Sequence, residues 1–384
     1  MKVALIGIKI PDNYQFLSTE DWFKYYSKNT GNVAFHYAIK HQINTQNNYI
    51  NELFWSDAHL EKNQNYDIGI IPLANQLGKH ANFGKLAESW KNIKYPLVAI
   101  GLGAQSGDLS LRKLDIEIPD GTLEWVKLLQ EKSPTDYYPN LALRGEYTYH
   151  ILEKYNLAKK TVILGCPSLF LNPKKNLGHK IMEKFEDNLN NNTNRIGVAA
   201  GDRRWKYLQK IEEYLVKLAI KTKGRYFFQS PEESIYLGRY EIDKLTETQL
   251  KAWNEYITPY FEPSKFLEWI RANGVVYLSV PEWMEDIKHH DFIVGARFHG
   301  VMLAIQSGIP GLCIAHDSRI VELCETTKVP YIKYTEIKNE LTEKDLFEIF
   351  ERQFNPKEFD TNRLKLANRY KEFLENNRIK FVNF

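Results

Sequence analysis

Asp291-Phe-Ile-Val-Gly-Ala-Arg-Phe-His-Gly300, continued by Val301-Met-Leu-Ala-Ile-Gln-Ser-Gly-Ile-Pro310, is the stretch that decides the fold. An apolar run of strand length ends abruptly in Arg297 and His299. A short apolar helix follows, and Gly308 and Pro310 stop it. This is a strand–loop–helix unit with a cation and a proton donor at the strand's carboxyl end. In open α/β sheets, ligands sit at that end. The helix start after Gly300 adds free backbone N–H groups and the positive end of a dipole. Together these features read as a site for an anion, a phosphate or a carboxylate. If extended geometry persists through Arg297 and His299, both side chains point to one face. The competing reading is a structural arginine on carbonyl groups beside a buried, hydrogen-bonded histidine.

Outward from this unit, strand-length apolar runs alternate with helical segments. In the first half the runs are Lys2–Ile8, Asp67–Leu73, Leu97–Leu102, Leu141–Leu143 and Val162–Leu164, with helices at Asn32–Gln42 and Glu146–Tyr155. In the second half they are Arg195–Ala200, Arg225–Gln229, Val275–Ser279 and Leu312–Ala315, with helices at Lys206–Lys221, Pro263–Asn273 and Pro281–His289. The Tyr-rich stretch Tyr236–Tyr260 reads as a helical insertion. Alternation of this kind predicts parallel sheets with crossover helices, an α/β class. A length of 384 residues favours two domains. The boundaries read as 1–175 for the first α/β domain and 176–194 for an exposed, Lys/Asn/Glu-rich linker helix and loop. The second α/β domain is 195–341, and closing helices that pack back occupy 342–384, broken at Pro356. Two halves imply a cleft, where pockets form preferentially.

Composition narrows the classes. With 43% hydrophobic and 26% charged residues, the chain reads as soluble and globular. A net charge of +3, from 51 basic and 48 acidic residues, argues against a nucleic-acid partner. Cys166, Cys313 and Cys324 form no CxxC or Cys/His ligand spacing, so neither a metal site nor a disulfide framework is expected. A reducing cytoplasm fits. Met1–Ile8 reads as a strand rather than a signal peptide, and no apolar run of about 18 residues occurs. The basic stretch Asn362–Lys371 reads as a solvated helix, with peripheral membrane contact as its alternative. No Rossmann or P-loop glycine motif and no GxSxG elbow is present.

Other residues fall at strand ends. Arg144 follows Leu141–Leu143, Arg203 and Arg204 follow Arg195–Ala200, and Asp317-Ser318-Arg319 follow Leu312–Ala315. Each arginine is either an anion contact or a solvated or capping residue. The loop Gly101-Leu-Gly-Ala-Gln-Ser-Gly107 reads as a tight turn or as a place where ligand approaches backbone. His289-His290 reads as a helix-end pair, and His36 and His41 as surface or core residues of a helix.

Several of these segments resemble the polysaccharide pyruvyl transferase family. Gly295–Pro310 is similar to its Arg-x-His signature, following helix and Gly-x-Pro stop. Leu312–Arg319 resembles the next strand and basic residue, with Arg319 where the family usually has Lys. Leu143–Thr148, Gly165–Ser168 and Pro96–Ser106 resemble further blocks. The resemblance runs from about Asn29 to Tyr331. It departs from the family at Gly31-Asn32, where Gly-Asp is usual, and at Pro72–Asn75, where a Gly-rich turn is usual.

The resemblance implies two Rossmann-like domains facing a cleft, a glycosyltransferase-B-like layout. It implies transfer of an enolpyruvyl-derived group from phosphoenolpyruvate to a sugar of a surface polysaccharide or its precursor, giving a pyruvate ketal. His299 and Arg297 would be catalytic. Arg203, Arg204, Arg144, Gly295 and Arg319 would bind the donor; Gly103, Gln105 and Asn32 would bind the acceptor. No cofactor is implied beyond phosphoenolpyruvate as substrate. The acceptor would be a sugar or lipid-linked oligosaccharide, handled at the inner membrane face or in the cytoplasm. Whether the chain is a homo-oligomer stays open. A glycosyltransferase using a nucleotide sugar and a non-catalytic glycan-binding relative are the alternatives.

Overall fold

Among the described residues, twelve strands form two parallel six-stranded sheets, one in each half of the chain. The first sheet contains β1 (Lys2–Gly7), β2 (Tyr49–Phe54), β3 (Ile68–Pro72), β4 (Leu97–Leu102), β5 (Leu141–Leu143) and β6 (Thr161–Ile163), in the order β2-β1-β3-β4-β5-β6. The second contains β7 (Ile196–Ala199), β8 (Tyr226–Phe227), β9 (Gly274–Val275), β10 (Phe292–Gly295), β11 (Gly311–Ala315) and β12 (Tyr331–Lys333), in the order β12-β11-β10-β7-β8-β9. The computed structural model describes residues 1–11, 13–25, 28–191, 194–382 and 384, excluding the side chains of Asn190 and Asn191. The α/β class and the two-half layout with a parallel sheet in each half are those expected.

The central strands are legible because they are buried on both faces. Every residue of β3, β4, β10 and β11 is buried, so each reads as an unbroken apolar run. The two strands with no counterpart in the sequence reading, β2 and β12, are edge strands. In β2 only Leu53 is buried, and its Asn51-Glu52 breaks the apolar run. The run Val275–Ser279 pairs only at Gly274–Val275. The Tyr-rich stretch folds as helices Glu232–Gly238 and Glu247–Ile257, the second opened by a Thr246/Gln249 capping box.

The expected linker differs from its reading as an exposed segment. Leu177–Asn191 is a helix whose Leu177, Ile181 and Phe185 recur every fourth residue and are buried. Phe185 packs edge-on against Phe347, and Asp360 accepts from the Gly178 N–H at 2.6 Å. Asn192 and Thr193 of the expected linker loop lie outside the described residues. Pro356 opens a helix, Pro356–Asn376, rather than breaking one. Arg363 of that helix donates to the carbonyls of Leu169 (3.0 Å) and Lys174 (2.7 Å), tying it back to the first half. Within the basic stretch Asn362–Lys371, Leu366, Ala367 and Tyr370 are buried against the protein. No described helix is long and apolar enough to cross a membrane.

The halves meet through hydrogen bonds. Thr30 N–H donates to the Gln229 carbonyl (2.9 Å), and Gln105 Nε2 to Asp317 Oδ2 (3.0 Å). Ser106 N–H donates to Ser318 Oγ (2.9 Å), and Thr148 N–H to Glu322 Oε1 (2.6 Å). The carboxyl ends of both sheets face this seam.

Candidate active site

β10 leads directly to the site. A Cβ at Gly295 would lie 2.1 Å from the Ala199 carbonyl oxygen, so glycine lets β10 pass close to β7. Two residues on, Arg297 is the N-cap of the helix Phe298–Ser307. Its buried guanidinium donates through Nη2 to Ser230 Oγ (2.6 Å), the Ser230 carbonyl (3.2 Å) and Asp202 Oδ2 (3.2 Å). It lies over the Trp205 ring, 4.5 Å from the centroid. Burial pushes its pKa down to about 10, so it stays charged near neutrality.

Arg144 arrives from the end of β5. Its Nε donates to the Gly101 carbonyl (2.9 Å) and its Nη2 to that of Leu73 (3.3 Å). Burial lowers it too, to about 10. Arg319 follows β11 and pairs with Asp317 at 3.3 Å. These three arginines, with Gln229, His299, Gly31 and Asn32, line one cavity of about 150 Å³. Three buried donors of its lining residues, Arg297 Nε, Arg319 Nε and Gln229 Nε2, have no acceptor among the described residues. An unsatisfied buried donor costs about 1–3 kcal/mol. The first-turn N–H groups of Phe298–Ser307 add to the same field.

His299 sits at this helix start. Its ring is 5.3 Å from that of Phe35, and its Nε2 is 3.5 Å from Cys166 Sγ. Burial, then Arg144 and Arg319, hold its pKa well below the ordinary value. Burial first, and the two guanidiniums second, therefore keep the imidazole neutral at pH 7.

A second cavity of about 680 Å³ adjoins the first, sharing Asn32, Ala74 and Gln76. The helix Gly31–Ile43 is their common wall. A Cβ at Gly31 would lie 2.9 Å from Gln229 Oε1 and 3.8 Å from His299 Nδ1, so a side chain there would crowd the anion cavity.

A polysaccharide pyruvyl transferase family model matches residues 29–318, most of the chain, including Arg144, Arg297 and His299. The chain belongs to this family. It is a family of transferases. A search of curated proteins finds no match. Similar solved structures include an S. aureus MnaA–UDP co-structure, at 12% identity, covering 97% of each chain with a TM-score of 0.49. A Methanocaldococcus jannaschii UDP-GlcNAc 2-epimerase in complex with UDP-GlcNAc and UDP is 10% identical over 92% of this chain and 93% of its own, at 0.42. A putative UDP-N-acetylglucosamine 2-epimerase from Listeria monocytogenes is 11% identical over 99% and 98%, at 0.45.

Within this pyruvyl transferase family chain, Arg297, His299, Arg144, Arg319 and Asn32 converge on the small cavity. Five other residues read as ligand contacts lie outside the lining of the small cavity. Arg203 forms a bidentate pair with Glu233 (2.6 and 2.7 Å) and lies outside the cavity lining. Arg204 pairs with Asp202 (2.8 and 2.6 Å) and so steadies the carboxylate behind Arg297. Gly295 serves strand packing. Gly103 makes room for Arg144, whose Cδ would lie 2.8 Å from a Cβ there. Gln105 links Asn75 to Asp317 across the seam and lines neither of the two cavities.

Asn75, Gln76, Gln229, Ser230 and Asp202 were not anticipated. Asn75 and Gln76 follow β3, and Gln229 and Ser230 follow β8, so the strand-end rule that found Arg297 would have found them. Among the described residues no group of three or more His, Cys, Asp or Glu could hold a metal.

Proposed function

We propose that this protein moves an enolpyruvyl-derived group from phosphoenolpyruvate onto two hydroxyls of a sugar in a surface polysaccharide or its precursor, giving a pyruvate ketal. One observation carries the donor: about 150 Å³ containing three arginines and three buried N–H donors without acceptors among the described residues. A phosphate and a carboxylate on three carbons match that density of positive charge. A nucleotide sugar needs space for a base and a ribose as well, and would have to extend out of the small cavity into its neighbour.

Arg297, Arg144 and Arg319 hold the donor's two anionic groups and stabilise charge that develops on the departing phosphate. His299 is neutral beside the arginines alone, and the donor's negative charges reverse that bias. It therefore takes up a proton as the donor binds. It then gives this proton to the methylene carbon C3 while a sugar oxygen bonds to C2. A second hydroxyl replaces phosphate at C2, and its proton leaves with the phosphate. The test is phosphate release from phosphoenolpyruvate across a sugar panel, with the product mass determined. Thermal stabilisation by phosphoenolpyruvate and not by UDP- or CMP-sugars supports this donor; the opposite pattern favours a glycosyltransferase.

A further inference from the structure

The larger cavity holds a histidine that the donor chemistry leaves unused. His36 lies one helical turn beyond Asn32, on the same face of Gly31–Ile43, and both line the cavity. His36 is 2% exposed, and its Nε2 stands 3.0 Å from Glu52 Oε1 on β2. Lys40, one turn further along the helix, holds the other carboxylate oxygen at 3.2 Å.

These two contacts define the protonation pattern. Burial raises the Glu52 carboxyl, but His36 and Lys40 outweigh it and keep the group ionised. An ionised carboxylate only accepts, so Nε2 carries the hydrogen. Burial, against the pull of Glu52, holds the ring below its ordinary pKa and hence neutral. Nδ1 is therefore a lone-pair acceptor; it is buried and has no partner among the described residues. Gly7, also on the cavity wall, covers it with no side chain; a Cβ there would lie 3.1 Å from Nδ1. An oriented imidazole with a free lone pair in a cleft has the arrangement of a general base.

The rest of the wall suits a sugar ring. Phe23, Phe54, Trp55 and Phe83 contribute aromatic faces, and Trp55 is fixed by stacking on Trp125 at 5.6 Å. We propose that this aromatic cavity is the acceptor-sugar subsite and that His36, oriented by Glu52, is the base that takes the proton of the attacking hydroxyl. The assignment rests on the pyruvyl-transfer reading. In the first addition, the sugar oxygen's lone pair forms the C–O bond to C2 and its proton passes to His36 Nδ1. The C2=C3 electron pair takes the proton of His299 at C3. Solvent later removes the proton from His36 and returns one to His299.

The test uses the full chain with phosphoenolpyruvate and p-nitrophenyl glycosides of glucose, galactose, mannose and N-acetylglucosamine. His36→Ala should lower kcat by roughly 10²- to 10⁴-fold. It should leave the thermal shift produced by phosphoenolpyruvate unchanged, and added imidazole should recover part of the loss. Glu52→Gln keeps the shape and should lower kcat about tenfold, which provides a second reading should His36→Ala fold poorly. Trp55→Leu should raise the acceptor KM about tenfold with kcat held. Wild-type turnover combined with unchanged kcat in His36→Ala or Glu52→Gln overturns the base. A loss that imidazole does not recover at all also overturns it, leaving a structural role. Absence of turnover in the wild type with every glycoside overturns the transfer reading itself.

Discussion

The smaller cavity gathers Arg144, Arg297 and Arg319 around about 150 Å³, whereas its neighbour spreads over about 680 Å³ and is walled by aromatic rings. The smaller one pays for two buried guanidiniums pushed down to about 10, a cost that Asp202 offsets in part beside Arg297 and that a compact anion would offset further. The larger one relies on apolar faces, which discriminate weakly between ligands of similar shape. On the proposed reading, one side of the cleft fixes the donor through charge, while the other accepts different sugars.

Arg297→Ala is the strongest way to break the contrast. It removes the cation from a buried network and leaves Asp202 with only Arg204 beside it. Phosphate release should fall at least about 10³-fold; a loss under tenfold would place the donor elsewhere. His299→Asn should lower kcat by roughly 10²-fold or more. It should also abolish proton uptake on phosphoenolpyruvate binding, measured by calorimetry at pH 7 in buffers of different ionisation heat. Wild-type uptake near zero would contradict the anion-driven protonation. Gly31→Ala sharpens the boundary between the cavities. Its Cβ would press on Gln229 Oε1, so donor affinity should fall about tenfold while the acceptor KM holds.

The smallest effect concerns the seam. Glu322 is buried between the halves, and burial raises its pKa to about 7 despite hydrogen bonds from Thr148. Its folded pKa exceeds the unfolded value. The stabilisation is therefore complete below the unfolded pKa, near pH 4.5, and is lost as pH rises through about 7. The change amounts to roughly 3 kcal/mol at most. Tm should decline between pH 5 and 7.5 in the wild type, and Glu322→Gln should flatten that slope. An unchanged slope in the variant would assign the pH dependence to other groups.

Much of this was legible in the sequence where burial is two-sided. Apolar runs ending in polar residues located β3, β4, β10 and β11, and the strand-end rule located Arg144, Arg297, His299 and Arg319. Two of the four edge strands, β2 and β12, were not legible, because a half-exposed strand lacks the unbroken apolar run. That gap had a chemical cost. Glu52 lies on the edge strand β2, where parallel pairing sets it opposite Leu5 of β1. Without β2, His36 had no visible acidic partner and read as a surface or core residue. Arg203 and Arg204 failed for a different reason. A strand-end position shows where a side chain starts, while Glu233 and Asp202, which capture these two, depend on tertiary packing.

The helix Gly31–Ile43 touches the anion cavity with Gly31 and Asn32 and the aromatic cavity with Phe35 and His36. On the proposed reading it therefore works as a ruler between the two substrates. Asn32 and His36 are separated by about 6 Å along the axis, at 1.5 Å per residue. Inserting a single residue between them would swing His36 by about 100° around the helix, away from Glu52 and out of the wall. The stretch from Gly31 to His36 should thus accept substitutions far more readily than changes in length.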